Sequence, residues 1–218
     1  MEQLRAVELD RDAGVAAAAA DLVAAAIEGG TRSLVLAGGS TPRLAYRLLA
    51  ERPLAWGGVT ALFGDERCVP PWDPESNYRM AKEELLDRVH PGGVLRMAGE
   101  LGAEHAAALY DAVVGAFSPL DLVLLGMGPD GHTASLFPGH PALAAGCTAV
   151  AVHGAPKPPP DRVSLTLGAL RTARRVVLLV TGADKADALA LAGRGEVPAG
   201  MIPGAEYLVD RAAAAGLG

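Results

Sequence analysis

The stretch from Asp121 to Gly139, DLVLLGMGPDGHTASLFPG, constrains this chain most. Leu122 to Leu125 is an unbroken apolar run, the mark of a strand covered on both faces. It passes directly into a loop with three glycines, Gly126, Gly128 and Gly131. In open α/β sheets ligands sit outside the carboxyl ends of such strands. The loop carries Asp130 and His132 to that place. A histidine there can work as a general base near neutral pH. An aspartate two residues earlier can orient the imidazole and stabilise its protonated form. The pair can equally be a helix-capping aspartate and a surface histidine, and the stretch alone leaves both readings open.

Similar short runs recur. Strands are predicted over Ser33 to Ala37, Val59 to Phe63, Cys147 to Val152, Arg162 to Thr166, Val176 to Val180 and Tyr207 to Val209, with a shorter one over Val94 to Met97. Helices are predicted between them. The first is capped by Asp10 or Asp12 and ends at Gly29 and Gly30. The second runs through Leu44, Leu48 and Leu49, with Pro42 in its first turn. Another starts at Ser76 or Asn77 and closes at Pro91-Gly92-Gly93. Glu104 to Phe117 is predicted helical with Leu109, Val113, Val114 and Phe117 inward, and Ala183 to Leu191 forms a last helix. Ala155 to Asp161 is a proline-rich loop. Strands alternating with helices predict one α/β domain over 1–218, a mainly parallel sheet with helices on both faces. The order of the strands is not legible in the pattern.

Length and composition agree, since 218 residues suit one large domain. A net charge of −6 argues against general nucleic-acid binding. No apolar run nears the roughly 20 residues of a membrane span. The N-terminal MEQLRAVELDRD is too charged for a secretory signal. Cys68 and Cys147 stand far apart and outside any C-x-x-C pattern, as reduced thiols of a cytoplasmic protein would.

Two further stretches can hold an anion. Gly38-Gly39-Ser40-Thr41 lies between a strand and a helix. Glycines let the backbone approach a ligand, and free N–H groups at a helix start favour negative charge. Ser40 and Thr41 add hydroxyl donors; a plain tight turn with a hydroxyl cap would read the same. Asp65-Glu66-Arg67 follows a strand end. Neighbouring side chains of an extended chain point in different directions, so at most some of the three share a pocket. The fork of Arg67 suits phosphate, though a solvated charge cluster fits as well. Arg162 and Lys185 are further phosphate candidates. Asp130, His132, His140 and His153 match no recognised metal-ligand spacing. There is no G-x-S-x-G elbow for a serine nucleophile.

Taken together, AGGSTP (37–42), GDER (64–67), SNYRMAKEELL (76–86), GMGPDGHTASLFPG (126–139), PKPPPDRVSLTLGAL (156–170) and VTGADKADAL (180–189) resemble the 6-phosphogluconolactonase family, in its order and over most of the chain. The resemblance implies a three-layer α/β/α fold with a Rossmann-like sheet, shared with glucosamine-6-phosphate deaminase and ribose-5-phosphate isomerase. It implies hydrolysis of 6-phosphoglucono-δ-lactone, with His132 as base beside Asp130. Gly38, Gly39, Ser40, Thr41, Asp65, Arg67, Gly131, Arg162 and Lys185 then form the substrate-binding set. No cofactor or metal is expected. The partner is a small phosphosugar lactone, with no nucleic acid and no membrane, and a monomer is favoured.

Two rivals are weighed. An amino-sugar-phosphate deaminase or isomerase on the same fold would carry a glutamate shortly after the histidine, and no Asp or Glu occurs between His132 and Asp161. A non-catalytic phosphosugar sensor would be joined to a DNA-binding segment, for which there is neither room before the first predicted strand nor a basic patch.

Overall fold

The computed structural model describes residues 4–217, so Met1 to Gln3 of the charged N-terminal stretch and the final Gly218 lie outside the described residues. In chain order the elements are β1 (Arg5–Leu9), α1 (Asp12–Glu28), β2 (Ser33–Leu36), α2 (Ser40–Ala50), β3 (Thr60–Phe63), β4 (Asp65–Arg67), α3 (Asn77–Ala81), α4 (Asp87–Val89), β5 (Gly93–Val94), α5 (Ala103–Val114), β6 (Leu122–Gly126), β7 (Ala149–Val152), β8 (Arg162–Leu165), α6 (Leu167–Thr172), β9 (Arg175–Val180), α7 (Ala186–Gly193), β10 (Glu206–Asp210) and α8 (Arg211–Ala214). Seven strands form one sheet in the order β1-β10-β9-β6-β2-β3-β5. Every pairing in it is parallel. A second, antiparallel sheet has the order β4-β8-β7.

Alternation along the central strands creates two cores. Leu34, Leu36, Leu122, Leu124, Val177 and Leu179 pack on one side with α1, α2 and α3. Val35, Val123, Leu125, Val176, Leu178 and Val180 pack on the other with α5, α6, α7 and the small sheet. Covering both faces is what lets the strands be apolar throughout. The alanines of α1 serve the first core: Ala16, Ala19, Ala20, Val23 and Ile27 form one buried stripe at helical spacing. This is the expected mainly parallel sheet between helical layers.

Two buried tyrosines fix the strand ends that carry the functional loops. The Tyr46 hydroxyl, from α2, accepts from the Ala37 N–H at 2.8 Å and donates to the Ala37 carbonyl at 2.9 Å. The Tyr110 hydroxyl, from α5, does the same at Phe63, at 2.8 and 3.0 Å. Burial pushes both phenols far above their ordinary pKa.

Several sequence expectations need correction. Neither Asp10 nor Asp12 caps α1: Arg11 holds that position, and Asp12 bonds only the next N–H. The Arg5–Leu9 strand was unanticipated because an edge strand whose side chains face solvent lacks an apolar pattern. The extended stretch that follows β3, Asp65–Arg67, is itself a short strand paired with β8. The short strand expected at Val94 to Met97 is Gly93–Val94. Leu109 and Val113 are exposed, because α5 instead turns Ala103, Ala106, Ala107 and Tyr110 inward. That face brings the helix close to the small sheet and places the Tyr110 hydroxyl on Phe63. α3 does start after Ser76, whose hydroxyl accepts from the Arg79 N–H.

Candidate active site

The chain leaves β2 through α2 toward β3 on one side, while β6 lies on the other. Such a reversal opens a crevice at the carboxyl ends of the strands. The segments after β2, β3 and β6 line a cleft there of about 160 Å³, walled by Gly38, Gly39, Asp65, Arg67, Asn77, Met127, His132 and Arg162 among others. A larger hollow beside Arg194, Pro203 and Tyr207, of about 230 Å³, contains no comparable grouping of base, carboxylate and guanidinium.

After β6 the chain turns back on itself. The Gly131 N–H donates to the Gly128 carbonyl at 3.0 Å, and the Gly128 N–H donates to the His132 carbonyl at 2.9 Å. The turn sets His132 Nδ1 2.5 Å from Asp130 Oδ1, which also accepts from the His132 backbone N–H at 3.2 Å. Burial raises the Asp130 pKa, but the hydrogen bond and charge of His132 outweigh it, and the net shift is downward. An ionised Asp130 places the ring proton on Nδ1 and leaves Nε2 free to accept one. Gly128 has no alternative here: a Cβ would lie 2.1 Å from both Cε1 and Nδ1 of His132. The Phe137 ring packs against the imidazole with centroids 4.6 Å apart.

The same cleft is lined by a pair of cations. In the β4–β8 ladder Arg67 stands across from Arg162, and like charges directly opposed on neighbouring strands repel. Arg162 is 5% exposed, with its Nε donating to the Pro159 carbonyl at 3.0 Å and its Nη2 to the Lys157 carbonyl at 2.8 Å. Its guanidinium also lies 5.6 Å from the centroid of Phe137. Burial lowers its pKa; Asp65 partly offsets this and Arg67 adds to it. Arg67 Nη1 donates to the Glu75 carbonyl at 2.5 Å, while its buried Nε has no hydrogen-bond partner among the described residues. The strand's alternation sends Asp65 and Arg67 to the cleft and Glu66 away from it. The Glu66 carboxylate caps α3, accepting from the N–H groups of Asn77 at 2.8 Å and Tyr78 at 2.7 Å and from the Ser76 hydroxyl at 2.9 Å. Asp65 accepts from the Ser135 hydroxyl at 2.6 Å and from the Asn77 amide at 3.1 Å. Ser135 is fully buried and spends its hydroxyl proton on that carboxylate.

Of the residues singled out in the sequence, Gly38, Gly39, Asp65, Arg67, His132 and Arg162 converge on the cleft wall. Asp130 stands behind His132. Ser40, Thr41, Gly131 and Lys185 do not line the wall. Ser40 opens α2, and the Thr41 hydroxyl lies 2.8 Å from that of Thr181. Gly131, at φ +79°, packs against Val197. Lys185 pairs with its neighbour Asp184. Sequence reasoning missed Asn77, Phe137 and Met127. The amide of Asn77 fills the space over Gly38, where a Cβ would lie 2.0 Å from its Oδ1; position 77 read only as a helix start. Phe137 lies within the GHTASLFPG stretch, which gave that signal. Among the described residues no three His, Cys, Asp or Glu side chains are grouped to hold a metal ion, and no helix is long and apolar enough to cross a membrane.

Comparison with known proteins bears on this geometry. The family model described as glucosamine-6-phosphate isomerases/6-phosphogluconolactonase matches residues 10–209. A 6-phosphogluconolactonase of Streptomyces coelicolor is 40% identical, over 97% of this chain and 93% of that protein. The solved 6-phosphogluconolactonase from Trypanosoma cruzi superposes with a TM-score of 0.89 at 28% identity, covering 99% of this chain and 97% of the other. A monomeric glucosamine-6-phosphate deaminase shares the fold at 22% identity, with a TM-score of 0.86 over 98% of this chain and 100% of the other. With most of its length matched by the family model and by a close relative, the chain belongs to the glucosamine-6-phosphate isomerase/6-phosphogluconolactonase family.

Proposed function

We propose that the protein hydrolyses 6-phosphoglucono-δ-lactone to 6-phosphogluconate, as a cofactor-free, cytoplasmic monomer. One observation carries the reading: an imidazole held by a carboxylate shares a cleft with two opposed guanidinium groups. A lactone is an activated ester, so a positioned water and a base suffice. His132 Nε2 takes a proton from water as its oxygen attacks C1. The imidazolium, stabilised by Asp130, returns that proton to the ring oxygen as the C1–O bond breaks. Arg67 and Arg162 hold the phosphate, whose charge relieves their repulsion, and that binding energy orients the lactone. Asp65 and Asn77 face the sugar hydroxyls. Backbone N–H groups of the glycine loops supply donors for the developing oxyanion. The absence of any carboxylate from Thr133 to Pro160 favours this reaction over deamination.

The test is turnover of the phosphorylated lactone in the presence of a chelator, beside unphosphorylated gluconolactone. Rapid hydrolysis of the first and poor hydrolysis of the second are expected. Ammonia release from glucosamine 6-phosphate with no lactone turnover would replace this reading with the deaminase. Arg67→Ala should raise KM about ten-fold or more, the scale of a charge-assisted contact, with a smaller change in kcat. Steady-state kinetics check this; an unchanged KM would remove Arg67 from the phosphate site.

A further inference from the structure

Outside the cleft, one histidine has both ring nitrogens committed to carboxylates. His153 Nδ1 lies 2.8 Å from Asp161 Oδ1, and its Nε2 lies 2.6 Å from Glu104 Oε1 at the start of α5. A neutral imidazole has one N–H and could satisfy only one of them; the imidazolium satisfies both. The remaining groups on its neighbours leave that arrangement intact. His140 donates from Nε2 to the His153 carbonyl at 2.9 Å while its Nδ1 accepts from the Ala142 N–H. Cys68, whose N–H donates to the Asp161 carbonyl at 2.9 Å, has its thiol pushed up to about 11 by burial and by Asp161, Glu66 and Glu104, so it is uncharged.

The position of this contact matters. His153 and Asp161 stand at the two ends of the proline-rich loop, which the Ala155 N–H to Pro160 carbonyl bond also closes, at 2.9 Å. The carbonyls of Lys157 and Pro159 in that loop hold the Arg162 guanidinium. Asp161 is also the residue immediately before Arg162. The ion pair thus shuts the neck of the loop that aims Arg162, and Glu104 fastens the neck to α5.

We propose that His153, as the imidazolium, is a positioning residue for Arg162, so that affinity for a phosphate monoester falls when His153 loses its proton. The proposal rests on the reading that Arg162 binds the phosphate. Asp161 and Glu104 raise the His153 pKa above its ordinary value. A raised value means that the clamp is complete at low pH and is lost as pH rises through that value. The sign is opposite to that of the ligand, because a phosphate monoester gains charge through its second ionisation near pH 6 and would bind more tightly.

The experiment is calorimetric titration with 6-phosphogluconate from about pH 6 to about pH 9, across the histidine range. In the native protein Kd should rise about three-fold on the alkaline side, the scale of a solvent-exposed ion pair. His153→Gln should bind weakly at every pH, with that alkaline limb gone and kcat within about two-fold of native. His153→Arg, permanently charged, should bind tightly with no limb, a rescue that loss of packing cannot produce. A His153→Gln protein with native affinity and the native alkaline limb would overturn the proposal. Native affinity in Arg162→Gln would instead overturn the phosphate reading beneath it.

Discussion

His132→Asn should yield a folded protein that still binds 6-phosphogluconate but turns over the lactone about 10²–10⁴-fold more slowly. Asparagine retains a polar side chain in the loop and cannot carry the proton between water and the leaving oxygen. Asp130→Asn should cost less, because the imidazole keeps its backbone turn and its packing against Phe137 while losing a charged partner at Nδ1. The two variants separate transfer from orientation. In the native enzyme kcat/KM should fall on the acid side. Asp130, its pKa depressed by the hydrogen bond from His132, stays ionised and keeps its hold on Nδ1. Steady-state kinetics with product calorimetry decide the matter. Near-native kcat in His132→Asn would mean that the base lies elsewhere, with Asp65 the next carboxylate in the cleft.

Gly128→Ala should be nearly as damaging to kcat while leaving the fold intact. The added methyl would stand 2.1 Å from two imidazole atoms and 2.7 Å from Asp130 Oδ1, so the ring must swing out of place. Misplacing a reacting group by about 1 Å can cost on the order of 10²-fold in rate. Gly128 is not among the glycines with a positive φ, so alanine adds no backbone strain and the melting temperature should change little. The informative measurements are kcat and Tm together. A large fall in Tm would show that the loop, rather than the imidazole, yields to the methyl. An unchanged kcat would show that the base tolerates displacement and so is not held as the geometry requires.

The strands and the histidine loop were legible in the sequence because their cause is local. Leu122 to Leu125 is apolar on both faces since both faces are covered, and three glycines mark where the backbone must fold tightly. What stayed hidden depends on partners distant in the chain. Asp65-Glu66-Arg67 looks like a solvated cluster until Arg162, nearly a hundred residues later, arrives opposite Arg67. Asn77 looks like a helix start because the amide's other duties, toward Asp65 and over Gly38, involve segments that sequence proximity does not connect. Leu109 and Val113 were expected inside on hydrophobicity alone, yet a stripe of alanines permits closer packing and a tyrosine on that face has a bond to make. Lys185 has a charge suited to phosphate, but it does not line the cleft and the residue beside it takes up its ammonium group.

Tyr46 and Tyr110 reach the sheet from opposite layers, and each closes both peptide groups of the residue it meets, at the last residue of β3 and just beyond the end of β2. Mechanically they are rivets. Neither helix layer can slide along the sheet without breaking two buried hydrogen bonds at once, each costing on the order of 1–3 kcal/mol if left unmade. Shear between layers, one of the common ways a cleft opens and closes, is therefore resisted at the rim where this cleft begins. Any opening of the cleft must therefore come from the segments beyond these two tyrosines, with its floor held to the sheet.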